Sequence, residues 1–308
     1  MTDRVCAVVV TYNRKEFLRK ALAALCTQTR RPDNVLVIDD HSSDGTHEMV
    51  AAEFPSVEIV RLSENCGASH GYHYSQHKAF NEGYDWWWIN DDDSTAAPDA
   101  LERMLAHPEV SRVKAAVPRV IRPTGEDCPR VIAAVTRNDR IFRGIVHGSN
   151  LGPRIYTYPC QGILVHRSKV QEVGMLRSDF FFAFDDVEWT LRLSAAQGIV
   201  YVSDAVVTHD DRVVRKQRRF LGLTFNLIER AAIWKQYYGV RNSIVVLKMH
   251  HKPHVIGPLL DFAKNVVARI GSRDLWLTVR VYTLALWHGY RGMMGKRIPP
   301  GWQGERLR

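Results

Sequence analysis

The chain has 308 residues, 45% of them hydrophobic and 10% aromatic, enough to bury a large core and exclude wholesale disorder. Its five cysteines (Cys6, Cys26, Cys66, Cys128 and Cys160) are odd in number, scattered and without a C-x-x-C pair, which argues against a disulfide framework or a structural zinc site. The net charge of +9 is uneven: from Arg212 onward 19 Lys and Arg face 4 Asp and Glu, a local +15, leaving −6 for residues 1–211.

The opening MTDRVCAVVVTYNR carries an apolar run too short and too soon interrupted for a signal peptide, and no stretch approaches the ~20 apolar residues that cross a bilayer. A cytoplasmic, reducing compartment is the expectation. Val5 to Val10 is a β-branched run ending at Thr11-Tyr12-Asn13. Phe17, Leu18, Ala21, Leu22 and Leu25 then share one helical face. Val35 to Ile38 is a second buried strand, stopped by the turn-forming Asp39-Asp40-His41-Ser42-Ser43-Asp44-Gly45. Another helical stretch leads to Val57-Glu58-Ile59-Val60, and Trp86 to Ile89 is a fourth strand. Apolar strands separated by helices predict an α/β fold with a mostly parallel, Rossmann-like sheet covered on both faces. Ligands of such sheets bind at the carboxyl ends of the strands, where Thr11, Asp40, Asn65 and the triplet Asp91-Asp92-Asp93 all fall.

The triplet follows three tryptophans in WWWINDDD. Three adjacent carboxylates repel, and burying them is costly unless something positive compensates. On a strand, Asp91 and Asp93 share a side while Asp92 turns away. Two hard carboxylates at that spacing suit Mg²⁺ or Mn²⁺ carrying a diphosphate. Ser94 and Pro98 read as helix-start residues, an ordinary setting for one aspartate but not for three. In FFFAFDDVEW, Asp185 and Asp186 fall at a helix start, with Glu188 one turn in and Gly198 as the stop. A carboxylate there can take a proton from a sugar hydroxyl. His209 follows the run Ile199 to Val207 and is a candidate third metal ligand.

Taken in order, VVVTYNR, QTRRPDNVLVIDDHSSDGT, LSENCGASHGY, GYDWWWINDDDS, FFFAFDDVEWTLRL and THD resemble the inverting nucleotide-sugar glycosyltransferases of family 2, with the GT-A fold. WKQYYGVRNSI is similar to a segment of their galactofuranosyl- and rhamnosyltransferase branch. The resemblance implies a metal-dependent, inverting transferase. Its donor would be UDP-galactofuranose, or dTDP-rhamnose as the alternative, and its acceptor a lipid-linked or cell-envelope glycan. It implies that Thr11, Asn13, Arg14, Asp40 and Asn65 line the nucleotide pocket together with Asp91 and Asp92. It places Mn²⁺ or Mg²⁺ on Asp93, Asp91 and His209. Asp186 would be the base, Asp185 and Glu188 its positioning partners, and Arg241 a diphosphate contact. Asn65-Cys66-Gly67-Ala68-Ser69-His70-Gly71 departs from the relatives' N-x-G-G-x-G-G, which reshapes the donor pocket. Apolar Phe180, Phe181, Phe182 and Trp86 to Trp88 would exclude water, most of the tryptophans being core.

The division is expected at residues 1–211, catalytic, and 212–308, a basic, mainly helical extension. Its dense run RVVRKQRR and its segments Leu259 to Val267 and Leu275 to Trp287 mix apolar with basic residues. That mixture suits a peripheral site on the inner face of the cell membrane, or equally a solvated helical extension packed on the catalytic domain. A nucleic-acid-binding protein is the rival of another class, but acidic strand ends would repel a phosphate backbone, so no nucleic acid is expected as partner. Ile121 to Cys160, mixed in composition, carries no assignment.

Overall fold

The computed structural model describes residues 3–128, 130–135, 141–146, 154–155, 161–210, 215–220, 223–250, 256–302 and 304–305. Cys160 and much of the unassigned stretch before it lie outside these residues. The chain divides into two compact units, Met1–Ser178 with Asp186–Asp211, and Asp179–Asp185 with Arg212–Arg308.

The first unit runs β1 (Val5–Thr11), α1 (Lys15–Cys26), β2 (Asn34–Asp39), α2 (Thr46–Glu53), β3 (Glu58–Arg61), α3 (Ala68–Asn81), β4 (Trp86–Asp91), β5 (Ser94–Ala96), α4 (Ala100–Ala106), α5 (Val110–Val113) and β6 (Ala115–Ile121). It continues with β7 (Arg130–Val135), β8 (Ile141–Val146), β9 (Arg154–Ile155), β10 (Ile163–His166), α6 (Arg167–Val173), α7 (Asp185–Gln197) and β11 (Ile199–His209). One sheet has the order β3-β2-β1-β4-β10-β6-β11-β5, with β9 beside β11, and β7 and β8 form a separate antiparallel pair. Six of its strands point one way; β10, β5 and β9 oppose them. The mostly parallel, helix-flanked sheet is thus the one the alternating pattern predicts.

The apolar runs become strands because they are buried on both faces: every residue of β1 is buried, and Trp87 and Trp88 are wholly inaccessible. The three tryptophans are core, stacked between β1 and β10. α1 buries Leu18, Ala21, Leu22 and Leu25, the face its spacing predicts. Two close approaches set the geometry near the site. A Cβ on Gly71 would lie 2.6 Å from Val10 Cγ1, so only glycine lets α3 rest on β1. Gly162, at φ +80°, lies under Pro118 and Val207, where a Cβ would stand 2.9 and 3.0 Å from their side chains. Beside Pro118, which has no N–H to offer its neighbour, β11 bulges between Val202 and Val206 before pairing onward.

Ser94 does not start a helix. It opens β5, which pairs antiparallel with β11 through Val207↔Ala96, Thr208↔Thr95 and His209↔Ser94, and the helix waits until Ala100. Tertiary pairing overrides the local signal there.

The second unit holds β12 (Arg215–Phe220), β13 (Leu223–Ile228), α8 (Ile233–His250), α9 (Ile256–Val267) and α10 (Leu275–Arg291). It is mainly helical, as expected, but the basic run forms an antiparallel ribbon, Arg215↔Ile228 to Phe220↔Leu223. The alternating Leu223-Thr224-Phe225 partner gives that run a strand to pair with. The unit's own core gathers Phe181, Tyr237, Tyr238, Val281, Tyr282 and Trp302.

Candidate active site

The carboxyl ends of β1, β2 and β4 lie side by side, with Thr11 opposite Asp39 and Val10 opposite Asp91. The aspartate triplet stands where they meet, and its members do different things. Asp92 turns inward: Thr11 Oγ1 donates to its Oδ2 (2.9 Å) and Arg14 Nη1 to its Oδ1 (2.8 Å). The same Arg14 nitrogen reaches Asp93 Oδ2 at 2.6 Å. Burial opposes charge on Arg14, yet Asp92 and Asp93 hold its pKa well above the ordinary guanidinium value. Burial pushes the Asp92 carboxyl up to about 6, with Arg14 pulling against it.

Asp91 and Asp93 face a common side with His209. His209 Nε2 lies 3.2 Å from Asp93 Oδ1, and one ligand atom from each of Asp91, Asp93 and His209 falls within 4.8 Å of the others. Tyr72 Oη donates to Asp91 Oδ1 (2.9 Å), and Gln161 also hydrogen-bonds Asp91. Burial and the neighbouring Asp93 drive the Asp91 pKa up, whereas at Asp93 burial is outweighed by His209 and Arg14, which hold its carboxyl low. Two crowded carboxylates, one reluctant to ionise, with an imidazole beside them, form a hard-donor set that a divalent cation would relieve. This is the arrangement a metal of the Mg²⁺ or Mn²⁺ class fits.

The pairing of β5 with β11 is what brings His209 here, and Asp210 N–H closes it by donating to Asp93 O (3.0 Å). Neither Tyr72 nor Gln161 figures among the residues expected from sequence. Tyr72 sits one residue after the glycine that seats α3 on β1; Gln161 precedes the positive-φ Gly162. Both glycines are the sequence signal for these neighbours.

The other expected residues are tied into the loops that frame the site. Asp40 is buried and accepts from Asn65 Nδ2 (2.8 Å), Cys66 N–H (2.7 Å) and Gly67 N–H (2.9 Å), so it pins the loop leading into α3. Asn13, at φ +53°, accepts from Ser43 N–H (2.7 Å) and donates its own N–H to Ser42 Oγ (2.9 Å), joining the turns after β1 and β2. Asp39 accepts from Ser42 N–H and lies 3.7 Å from Arg61 Nε.

Asp185 and Asp186 begin α7, Asp185 buried and Asp186 half-buried with its Oδ1 accepting from Val187 N–H (2.7 Å). Glu188, expected as a positioning group for acceptor or base, follows within α7. It is wholly buried and gripped by Arg192, Nε to Oε1 at 2.8 Å and Nη2 to Oε2 at 2.8 Å, while Arg192 also donates to the carbonyls of Val173 and Met175. Two residues along the helix from Asp186, and so on nearly the opposite side of it, Glu188 is buried, and its partner Arg192 ties α7 to the end of α6. Arg241, expected as a diphosphate contact, lies in α8. It is wholly inaccessible and donates to Gly295 O (2.6 Å), Phe180 O (2.7 Å) and Asn242 Oδ1 (2.7 Å).

Residues 6–174 match the family model described as glycosyl transferase family 2. Galactofuranosyltransferase GlfT1 of Mycolicibacterium smegmatis is 28% identical over 202 residues, 62% of this chain and 66% of that protein. The chain thus spans just under two thirds of the length of the GlfT1 relatives it matches. dTDP-rhamnosyl transferase RfbF of Shigella flexneri is 22% identical over 304 residues, 96% of this chain and 98% of its own length. Among solved structures, mannosyltransferase PcManGT from Pyrobaculum calidifontis, in complex with GDP-Man and Mn²⁺, superposes with a TM-score of 0.53 at 18% identity, covering 94% of this chain and 76% of that one. Residues 1–349 of S. aureus TarS in complex with UDP-GlcNAc give 0.53 at 13% identity, with 94% and 87% covered. At these identities the likeness speaks for the fold, which is GT-A.

Proposed function

The chain belongs to glycosyl transferase family 2, and we propose that it is a metal-dependent, inverting glycosyltransferase moving galactofuranose from UDP-galactofuranose to a lipid-linked or cell-envelope glycan. The observation that carries the reading is the Asp91–Asp93–His209 cluster at the strand ends, with Arg14 and Tyr72 holding its carboxylates. The galactofuranosyl relatives support the sugar.

In this reading Asp91, Asp93 and His209 hold Mn²⁺ or Mg²⁺, which supplies charge relief to the departing diphosphate. The framing loops carry the nucleotide: Thr11, Asn13, Arg14, Asp40 and Asn65 shape its pocket with Asp91 and Asp92. Asp186 accepts the proton of the acceptor hydroxyl as that oxygen bonds to the anomeric carbon. The bond from that carbon to the nucleoside diphosphate breaks with inversion, and the proton stays on Asp186 Oδ. Glu188, gripped by Arg192, ties α7 to the end of α6.

A dTDP-rhamnose donor is the second reading, favoured by one observation: a dTDP-rhamnosyl transferase relative aligns with nearly the whole chain. Partnership with a membrane surface rests on the helical unit. Leu260, Ile270, Trp276 and Trp287 are exposed there, Trp276 at 80% and Leu260 at 64%, amid exposed Lys264, Arg273, Arg280 and Arg291. The acids of that stretch, Asp261 and Asp274, are engaged by Tyr282 and Arg230. Among the described residues no helix is long and apolar enough to cross a membrane.

Thermal unfolding with UDP, dTDP and GDP, each with Mn²⁺ and with EDTA, tests the donor and the metal together. A ligand at a hundred times its dissociation constant adds ~2.7 kcal/mol, a shift of several degrees. Manganese-dependent stabilisation by UDP alone is the expected result. A shift with dTDP alone transfers the reading to rhamnose, and stabilisation by a short single-stranded RNA but by no nucleotide removes the transferase reading.

A further inference from the structure

The stretch between the short 3₁₀ turn Ser178–Phe180 and the first residue of α7 is held in a conformation it would not keep alone. Phe181, Ala183 and Phe184 all have positive φ, +68°, +64° and +67°, and none is glycine. Phe182 N–H donates to Phe180 O at 2.9 Å, a γ-turn centred on Phe181 in its rarer, more strained hand. Left-handed backbone crowds Cβ against the following carbonyl, and a bulky residue there is unusual once, let alone twice with an alanine between. Such strain persists only where the surroundings over-determine it, and it clusters where a side chain must be aimed.

The surroundings here are two side chains on α8. Asn242 Nδ2 donates to three carbonyls of the loop: Phe180 (3.1 Å), Phe182 (2.8 Å) and Ala183 (2.8 Å). Arg241 Nη2 adds a fourth bond, to Phe180 O at 2.7 Å, and its Nε donates to Asn242 Oδ1, which fixes which way the amide points. Both side chains are wholly inaccessible. The loop is tied a third way by Gly295 N–H onto Asp179 O (2.7 Å). Rings close around it: Phe181 lies 4.8 Å from Tyr238 and Phe182 5.2 Å from Trp234, centroid to centroid. Burial lowers the Arg241 pKa, while Tyr237, Tyr238 and Asp179 pull the other way, and its guanidinium faces the Tyr237 and Tyr238 rings. A buried cation is costly to keep unless its surroundings hold it, and here most of its hydrogen bonds go to the loop and to the amide that grips the loop.

We propose that Arg241 and Asn242 are positioning residues: they clamp the strained 180–184 loop and thereby fix the start of α7, from which Asp185 and Asp186 project. The proposal rests on the reading of Asp186 as the base, and it gives the Arg-Asn pair of WKQYYGVRNSI a task other than touching substrate. A carboxylate that takes a proton in a displacement must be held to within a fraction of an ångström, and a loop of ordinary backbone would let it wander.

The test replaces Asn242 by Ala in the full chain, alone and together with Ala183→Gly. Glycine adopts positive φ without strain, so it should return what the amide enforces. Amide hydrogen exchange across residues 180–186 reads the loop without any sugar. In Asn242→Ala it is expected to quicken by ~10-fold or more, confined to that segment, and to recover in the double variant. Transfer from UDP-galactofuranose to an alkyl galactofuranoside is expected to lose roughly 30-fold in kcat, with the donor KM within about 2-fold, and to regain much of it with the glycine. A purely structural role would instead lower the folded fraction and leave kcat per folded molecule intact. Should Asn242→Ala not fold, Asn242→Ser, which keeps one donor, takes its place. Unchanged exchange at 180–186, or a general quickening that glycine does not reverse, overturns the clamp. Asp186→Asn measured in parallel separates the two claims. If it still transfers at the parent rate, the base reading fails while the exchange result still decides the clamp.

Discussion

Arg14 answers the electrostatic question raised by three consecutive carboxylates. It neutralises Asp92 and one oxygen of Asp93, which leaves the other oxygen of Asp93 beside His209. Asp92 titrates near 3.8 when exposed and near 6 when folded. Between those values the folded protein carries a proton the unfolded chain has lost. The group therefore favours folding below about pH 4, and this contribution is lost as pH rises through about 6. Its size is at most about 3 kcal/mol. Asp92→Asn in EDTA is expected to gain stability relative to the parent between pH 4 and pH 7, read by guanidinium chloride unfolding at both; a difference that stays level contradicts it. Asp93→Ala is expected to weaken UDP binding in Mn²⁺ and leave it unchanged in EDTA, and equal weakening in both would refute the ligand role. Asp186→Asn is expected to cut transfer about 10²–10⁴-fold while metal-dependent UDP binding persists, which calorimetry beside the transfer assay resolves.

At the scale of elements, the site depends on how closely α3 sits on β1. Gly71 allows that approach, and the next residue carries the hydroxyl that holds Asp91. Gly71→Ala would drive a methyl against Val10 and cost ~1–3 kcal/mol. Because the helix must lift, it is also expected to weaken manganese binding, although no ligand is altered. A variant that loses stability yet titrates manganese like the parent would separate helix seating from the site. The strand pair β5–β11 is the second such element. It is three residues long on one side, and through it His209 meets the triplet.

At the scale of the whole chain, residues 212–308 carry +15, and among the described residues the ribbon holds Arg215, Lys216, Arg218 and Arg219 while the helices expose Leu260, Trp276 and Trp287 as well as Lys264, Arg280 and Arg291. Each basic group near an anionic bilayer contributes about 1 kcal/mol of attraction. Co-sedimentation with phosphatidylglycerol vesicles, compared with phosphatidylcholine vesicles, is expected to show selective binding that falls with added salt. Trp276→Ala with Leu260→Ala is expected to abolish most of it while leaving UDP stabilisation intact. Binding to both vesicle types alike, or none to either, would sink the membrane reading.

What the sequence determined by itself is what short-range chemistry dictates. Apolar runs such as Val5 to Val10 and Trp86 to Ile89 have no stable place except a doubly covered strand, and polar residues at their ends must then share one edge of the sheet. So the strand-helix alternation, the acidic strand ends and the start of α7 at Asp185 were legible. What only the tertiary structure decided are pairings between distant segments: Ser94 to Ala96 with β11, the basic run with Leu223 to Ile228, Arg192 with the carbonyls of Val173 and Met175, and Arg241 and Asn242 with the loop at 180–184. The burial of Glu188 and Arg241 is not legible in one dimension, because a charged side chain reads the same whether it faces solvent or core. Which way it faces depends on where its partner arrives, and the chain brings that partner from four residues away for Glu188 and from some sixty for Arg241.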